Sequence, residues 1–314
     1  MNKVKFLAFA DYHYYPKYIL SDQPGRFEKI RDRAALNDVD FVIQLGDLCH
    51  QPSKMQEIVK KYSAFPMPAY HVFGNHEFDN DTLEEALSGY GLGKSYYYID
   101  INCFRFIITD TNYIYDNGEY IHFSKGNYFK YYPRPETFCY INDEQMQWIE
   151  NTIMESPYPC IVFGHESFDR QNVAIKNKQQ FHDIIKRVNQ DKKRLFLCIH
   201  GHRHRDHIRV RNDVCFFEVN SSSFEWIAGK THDKFPPELV ERYKNINHTI
   251  VYNEPVSAVI TISEDGFIKI EGMNGSYYSD VCYETLGAEY KDADPDGIKC
   301  TPNILSAEIH IPVY

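Results

Sequence analysis

The chain has 314 residues, 43% of them hydrophobic, enough to bury a substantial core. A formal net charge of −10 argues against broad binding to a nucleic acid polymer or an anionic membrane surface, partners that reward clustered Lys and Arg. No stretch approaches the roughly 18 consecutive apolar residues of a membrane span, and the N-terminal run holds no cleavage-like site, so the expectation is a cytoplasmic protein.

In chain order, the first apolar run is Val4 to Ala10, which ends at Asp11-Tyr12-His13. Phe27, Ile30 and Ala34 then mark one helix face. A second run, Phe41 to Leu45, ends at Gly46-Asp47 and is followed by a helix face of Met55, Ile58, Val59 and Tyr62. A third, Tyr70 to Phe73, ends at Gly74-Asn75-His76-Glu77, and Leu83, Ala86, Leu87 and Tyr90 form the next helix face. Tyr96 to Ile101 and Cys103 to Thr109 read as a strand pair.

Beyond it, Asn142 with Gln145 three residues on caps a helix carrying Met146, Ile149 and Ile153. Cys160 to Phe163 ends at Gly164-His165; Phe181, Ile184, Ile185 and Val188 give a helix face; and Leu195 to Ile199 leads to Gly201-His202-Arg203-His204. Afterwards the pattern becomes strand pairs: His207 to Arg211 turns at Asn212-Asp213 into Val214 to Val219, and Ser257 to Ile262 turns at Glu264-Asp265-Gly266 into Phe267 to Glu271. Short continuous apolar runs are the signature of strands buried on both faces, so the class is α/β, a mixed sheet system covered by helices and large enough for two stacked sheets. One domain over residues 1–275 is expected, with inserts at 112–141 and 221–255. Residues 276–314 read as an irregular extension packed on it.

Five of these runs place Asp, Asn or His at their ends, where sites collect in open α/β sheets. Glycines at 46, 74, 164 and 201 let the backbone turn there. Asp11 and His13 are two apart, so extended backbone would send both side chains to one side to grip one ion, and His202 with His204 would repeat the arrangement. Asp47 can bridge two cations, while the Asn75 amide oxygen and neutral imidazoles of His165 and the others complete the shells. Mixed oxygen and nitrogen donors suit manganese, iron or zinc better than calcium. Two divalent ions would outweigh the charges of Asp11 and Asp47 and leave a centre attractive to phosphate.

The cysteines are scattered, and Cys160, Cys198 and Cys215 lie inside apolar runs, as reduced thiols do; Cys282 and Cys300 are a pair that could bridge. Residues 112–141 are crowded with Tyr and Phe. Tyr128 and Arg134 there, together with His50, are candidate substrate contacts, because aromatics stack on a nucleobase and cations hold phosphate. The alternative is a surface loop packed on its own rings. The 221–255 insert would form one wall of the cleft. Glu166 reads as structural, and the acidic cluster Asp292, Asp294 and Asp296 as a solvated turn rather than a calcium loop.

Asp-x-His, Gly-Asp, Gly-Asn-His-Glu, Gly-His and Gly-His-x-His, in this order over roughly residues 4 to 220, resemble the calcineurin-like metallophosphoesterase superfamily, which includes purple acid phosphatases and class III cyclic-nucleotide phosphodiesterases. The resemblance implies a four-layer α-β-β-α sandwich, two central mixed sheets flanked by helices. It implies Asp11, His13 and His204 on one metal, Asn75, His165 and His202 on the other, and Asp47 shared, with His76 as general acid for the leaving oxygen. The implied activity is hydrolysis of a small phosphate mono- or diester, nucleotides included, by a metal-activated hydroxide. A noncatalytic scaffold on the same fold is the alternative, and a nuclease is disfavoured by charge.

The chain departs from the pattern in two places. Many relatives read Gly-Asp-x-x-Asp, whose last carboxylate orients the catalytic histidine, whereas His50 stands here, leaving Glu77 or another group to orient His76. The arginines of the protein phosphatases are absent too, with Phe73 before Gly74 and Gln51 after His50, which disfavours a protein substrate.

Overall fold

A computed structural model describes residues 2–19, 25–227 and 231–311. Residues 228–230 of the 221–255 insert and 312–314 of the last segment lie outside it.

The first half alternates strand and helix: β1 (Lys3–Phe9), α1 (Arg26–Leu36), β2 (Phe41–Gln44), α2 (Gln56–Ser63), β3 (Ala69–His71) and α3 (Leu83–Tyr90). There follow β4 (Tyr97–Ile101), β5 (Phe104–Ile108), β6 (Tyr113–Asp116), β7 (Glu119–His122), β8 (Phe138–Tyr140), α4 (Asp143–Met154), β9 (Cys160–Phe163), α5 (Lys178–Val188) and β10 (Leu195–His200). The remainder comprises β11 (His207–Arg211), β12 (Val214–Glu218), β13 (Phe224–Trp226), α6 (Pro237–Arg242), β14 (Thr249–Val251), β15 (Ala258–Ser263), β16 (Phe267–Glu271), α7 (Tyr283–Leu286) and β17 (Ala307–His310).

Two six-stranded sheets dominate, ordered β17-β16-β15-β1-β2-β3 and β11-β12-β10-β9-β5-β4. Within them β1, β2 and β3 run parallel, as do β5, β9, β10 and β12, with antiparallel strands outside. The sheets face each other through Phe6 and Phe41, stacked at 4.9 Å, which meet Phe106 and Phe163 of the opposite sheet edge-on. Helices α1, α2 and α3 bury Phe27, Ile30, Ile58, Val59 and Ala86 on the outer face of the first sheet. Helices α4 and α5 bury Met146, Ile149, Phe181 and Ile185 on the second. Each central strand is therefore covered on both faces, which is why its sequence reads as an unbroken apolar run. The architecture is the α-β-β-α sandwich.

Local signals behave as expected at one turn and one cap. Asn212 and Asp213 both take left-handed φ, 52° and 53°, to close the β11–β12 hairpin. The Asn142 side chain accepts from the Gln145 N–H at the start of α4.

Elsewhere the structure corrects the sequence reading. The segment after residue 275 is not wholly irregular, since β17 pairs with β16 as the edge of the first sheet. Its acidic residues are not a solvated turn: Asp294 and Asp296 reach Arg170 at 2.6 and 2.7 Å, and Arg170 also meets Glu218. Cys282 and Cys300 are free thiols, and Cys300 Sγ lies 3.4 Å from the Tyr252 hydroxyl. The 112–141 insert contains a three-stranded sheet, β7-β6-β8, with its aromatic rings packed on one another. Among the described residues, no helix is long and apolar enough to cross a membrane.

Candidate metal centre and active site

Turns at the ends of β1, β2, β3, β9 and β10 converge. Donor atoms of Asp11, His13 and His204 lie within 4.8 Å of one another, as do those of Asp47, His165 and His202. Asn75 Oδ1 stands 3.3 Å from His165 Nε2, and Asp47 Oδ2 stands 3.2 Å from the same nitrogen. Asp47 also groups with His13 and His76, so it touches both sides.

The convergence depends on unusual backbone. Asp11, His13, Asp47, His202 and His204 all have left-handed φ, between 51° and 72°. This region costs an L-residue on the order of 1 kcal/mol. Extended alternation therefore does not operate: His202 groups with His165, and His204 with Asp11 and His13, so two histidines that period-two spacing would send to one ion separate. Glycines make room. A Cβ on Gly74 would stand 2.2 Å from Asp47 Oδ1, and one on Gly46, itself at φ 99°, would stand 2.2 Å from His165 Nδ1.

The polar atoms fit cations. His165 Nδ1 meets the Leu45 carbonyl at 2.7 Å and His204 Nδ1 meets that of Phe224. A carbonyl only accepts, so in the neutral rings Nδ1 carries the proton and Nε2 turns a lone pair inward. Glu166 holds His202 Nε2 at 2.9 Å, which leaves Nδ1 as that ring's inward lone pair. The inward nitrogens then face each other, His202 Nδ1 at 3.1 Å from His165 Nε2 and His204 Nε2 at 3.1 Å from His13 Nε2. Asp11 Oδ1 is buried with no hydrogen-bond partner among the described residues. Facing lone pairs and an orphaned carboxylate oxygen are what a positive ion between them would resolve.

His76 is oriented by a residue that sequence reasoning missed. Asp79 Oδ2 lies 2.8 Å from His76 Nδ1 and 2.9 Å from His50 Nδ1, and Tyr128 donates its hydroxyl to Asp79. Residues 76–78 form a 3-10 turn, in which positions i and i+3 eclipse, so Asp79 falls beneath the His76 ring. Burial disfavours the His76 cation, but the charges of Asp79 and Asp47 outweigh it and push its pKa up to about 9. Burial likewise opposes ionisation of Asp79, yet His76 and His50 hold it well below the usual carboxylate range.

Glu77 has another task. Its carboxylate accepts from the N–H groups of Asp47, Leu48 and Gly74 at 2.8 to 3.0 Å and from the Tyr90 hydroxyl, tying two donor-bearing turns together. Burial first, then the charge of Asp47, pushes its pKa up to about 7.

A cavity of about 530 Å³ opens over the donors, walled by Phe123, Tyr128, Tyr132, Phe138 and Trp226, with Lys176 and Arg203 on its rim. Tyr128 thus reaches the site, and Trp226 brings the 221–255 insert in as a wall. Two candidate contacts do not line it. His50 is buried behind the centre, one ring nitrogen on Asp79 and the other 3.0 Å from His13 Nδ1. Arg134 is exposed, paired with Asp116 at 2.9 Å and lying over the Tyr131 ring.

Two facing mixed sheets with clustered Asp, Asn and His donors at their strand ends define an α/β metallohydrolase. The chain belongs to the calcineurin-like phosphoesterase family, whose sequence model matches residues 4–206; it is a metal-dependent phosphoric ester hydrolase. Its fold is similar to that of a dimetal phosphatase from Danio rerio, LOC 393393, at 15% identity over 87% of this chain and 98% of that one, with a TM-score of 0.57. It is also similar to GAP50, the anchor in the inner membrane complex of Plasmodium, at 13% identity over 87% of this chain and 84% of that one, with a TM-score of 0.50. Identities this low carry the fold alone. No curated protein matches the chain.

Proposed function

We propose that the protein hydrolyses a small phosphate mono- or diester at a centre of two metal ions. Asp11, His13 and His204 would hold one ion, Asn75, His165 and His202 the other, and Asp47 both. The observation that carries this reading is the pair of donor groups meeting at Asp47, lone pairs inward, beneath a cavity of about 530 Å³. The oxygen and nitrogen donor set favours manganese, iron or zinc. Ions there would supply positive charge for the phosphoryl oxygens and make an attacking water easy to ionise.

The chain's own residues account for the rest. His76 borders the cavity with Nδ1 fixed on Asp79, so the proton on Nε2 is available to the leaving oxygen as the phosphorus–oxygen bond breaks. The aromatic walls suit a flat leaving group the size of a nucleobase, and they shield the proton transfer from bulk water. The complete donor set supports an enzyme over a noncatalytic scaffold.

The test combines elemental analysis with turnover of p-nitrophenyl phosphate and bis(p-nitrophenyl) phosphate. Two metal equivalents are expected, with turnover lost on chelation, restored by metal and absent in Asp47→Asn. Full turnover in metal-free protein would overturn the reading. Trace metal with no hydrolysis of either ester after reconstitution would favour the scaffold.

A further inference from the structure

Arg203 stands between His202 and His204 and borders two cavities. It lines the one above the donors and a second of about 550 Å³, and Trp226 is the other residue common to both. Its side chain is half-buried, and its Nε is buried with no hydrogen-bond partner among the described residues. Three carboxylates lie close enough to feel its charge, Glu166, Glu218 and Glu225. Each is already committed: Glu166 to His202 at 2.9 Å, Glu218 to Arg170 at 2.9 Å, and Glu225 to Arg205.

Arg205, two residues on, shows the contrast. It is nearly buried and closed by Glu225 and Asp292. A guanidinium keeps its proton at any working pH and presents a planar fork that matches carboxylate and phosphate oxygens. An arginine fork without such a partner, at the rim of a phosphoryl site, is a receptor for an anion from outside the chain. The second cavity does not supply that receptor by itself, because its charged lining is neutral overall, Arg203, Arg205 and Lys291 against Glu225, Glu289 and Asp294. Arg203, the cation shared with the first cavity, differs in having no direct partner for its Nε among the described residues.

We propose that Arg203 holds a second anionic group of the substrate, a phosphate or carboxylate carried beside the scissile ester, and so selects two-anion esters over simple ones. The substrate would lie from the donors across Arg203 and Trp226 toward the second cavity. This rests on the phosphoesterase reading above and adds the substrate class to it.

The test is titration calorimetry on the metal-loaded protein with three probes: methylphosphonate, phosphonoacetate and methylenediphosphonate. The wild type should bind at least one two-anion probe about tenfold more tightly than methylphosphonate. Arg203→Met should bring that ratio close to one, and Arg203→Lys, which keeps the charge but not the fork, should leave it between. A gain for both two-anion probes marks either anion, and a gain for methylenediphosphonate alone marks a phosphate. The proposal is overturned by an absent preference in the wild type, by a preference that survives Arg203→Met, or by equal weakening of all three probes, which would put Arg203 on the scissile phosphate. Should Arg203→Met lose metal, Arg203→Lys and the wild-type ratio still decide. Failure of the phosphoesterase reading shows separately, as metal-loaded wild type that turns over neither p-nitrophenyl phosphate nor bis(p-nitrophenyl) phosphate.

Discussion

The floor of the site comes from buried turns at the ends of five core strands, whereas its walls come from Phe123, Tyr128, Tyr132 and Phe138 of one insert and Trp226 of another. The floor holds left-handed backbone at five of its seven donor positions, and the N–H groups of Asp11 and His13 donate to the carbonyls of Gly46 and Asp47. In the walls, rings pack on rings, Phe123 on Tyr128 at 4.6 Å and Tyr132 on Phe138 at 5.7 Å. A floor so constrained tolerates little change, and a wall built on inserts can vary while the chemistry beneath it stays the same. Changes to the floor should therefore appear in kcat and metal content, and changes to the walls in KM.

The strongest test of that division is Asp47→Asn, which removes the shared carboxylate; turnover should disappear and metal content fall together. Next is His76→Ala, expected to lower kcat about 10²- to 10⁴-fold on alkyl esters, with a smaller loss on p-nitrophenyl phosphate, whose leaving group needs no proton. Asp79→Asn should cost about ten- to a hundredfold, because Asp79 supports His76 directly and His13 through His50. It should also move the alkaline fall in kcat to lower pH: as the proposed general acid His76 would work protonated, its pKa is pushed up to about 9 with Asp79 charged, and neutralising that neighbour brings it down. The smallest effect belongs to the wall. Tyr132→Ala should raise KM for an aryl ester a few-fold, as expected for a ring contact of about 0.5–1.5 kcal/mol, with kcat and metal content unchanged; a change in kcat alone would break the floor and wall distinction.

Most of the floor is legible in the sequence, because buried parallel strands and the turns after them leave local marks: an apolar run, a glycine and a donor. The hairpin at Asn212-Asp213 and the cap at Asn142 are legible for the same reason. What depends on contacts distant in sequence is not. Arg170 meets Asp294 across 124 positions, and neither residue announces the other. Strand β17 is four residues long and exists because β16 offers it an edge. Asp79 is near His76 in sequence, but its role needs the 3-10 turn between them. The separation of His202 from His204 needs left-handed backbone that no spacing rule anticipates. Arg134 and Arg203 look alike as cations near a phosphate site; only their surroundings distinguish the one neutralised by Asp116 from the one without an acid of its own.

Glu218, at the end of β12 in the second sheet, shares Arg170 with Asp294 and Asp296, and the segment that carries those two aspartates goes on to pair, as β17, with β16 in the first. On the way, Asn220 donates to the carbonyls of Thr301 and Asn303. This stretch is a strap buckled to both layers. Because Asp11, Asp47 and Asn75 ride on one layer and His165, His202 and His204 on the other, any slip between layers would change the spacing of the donor atoms. A segment that touches no donor thus resists shear on their spacing.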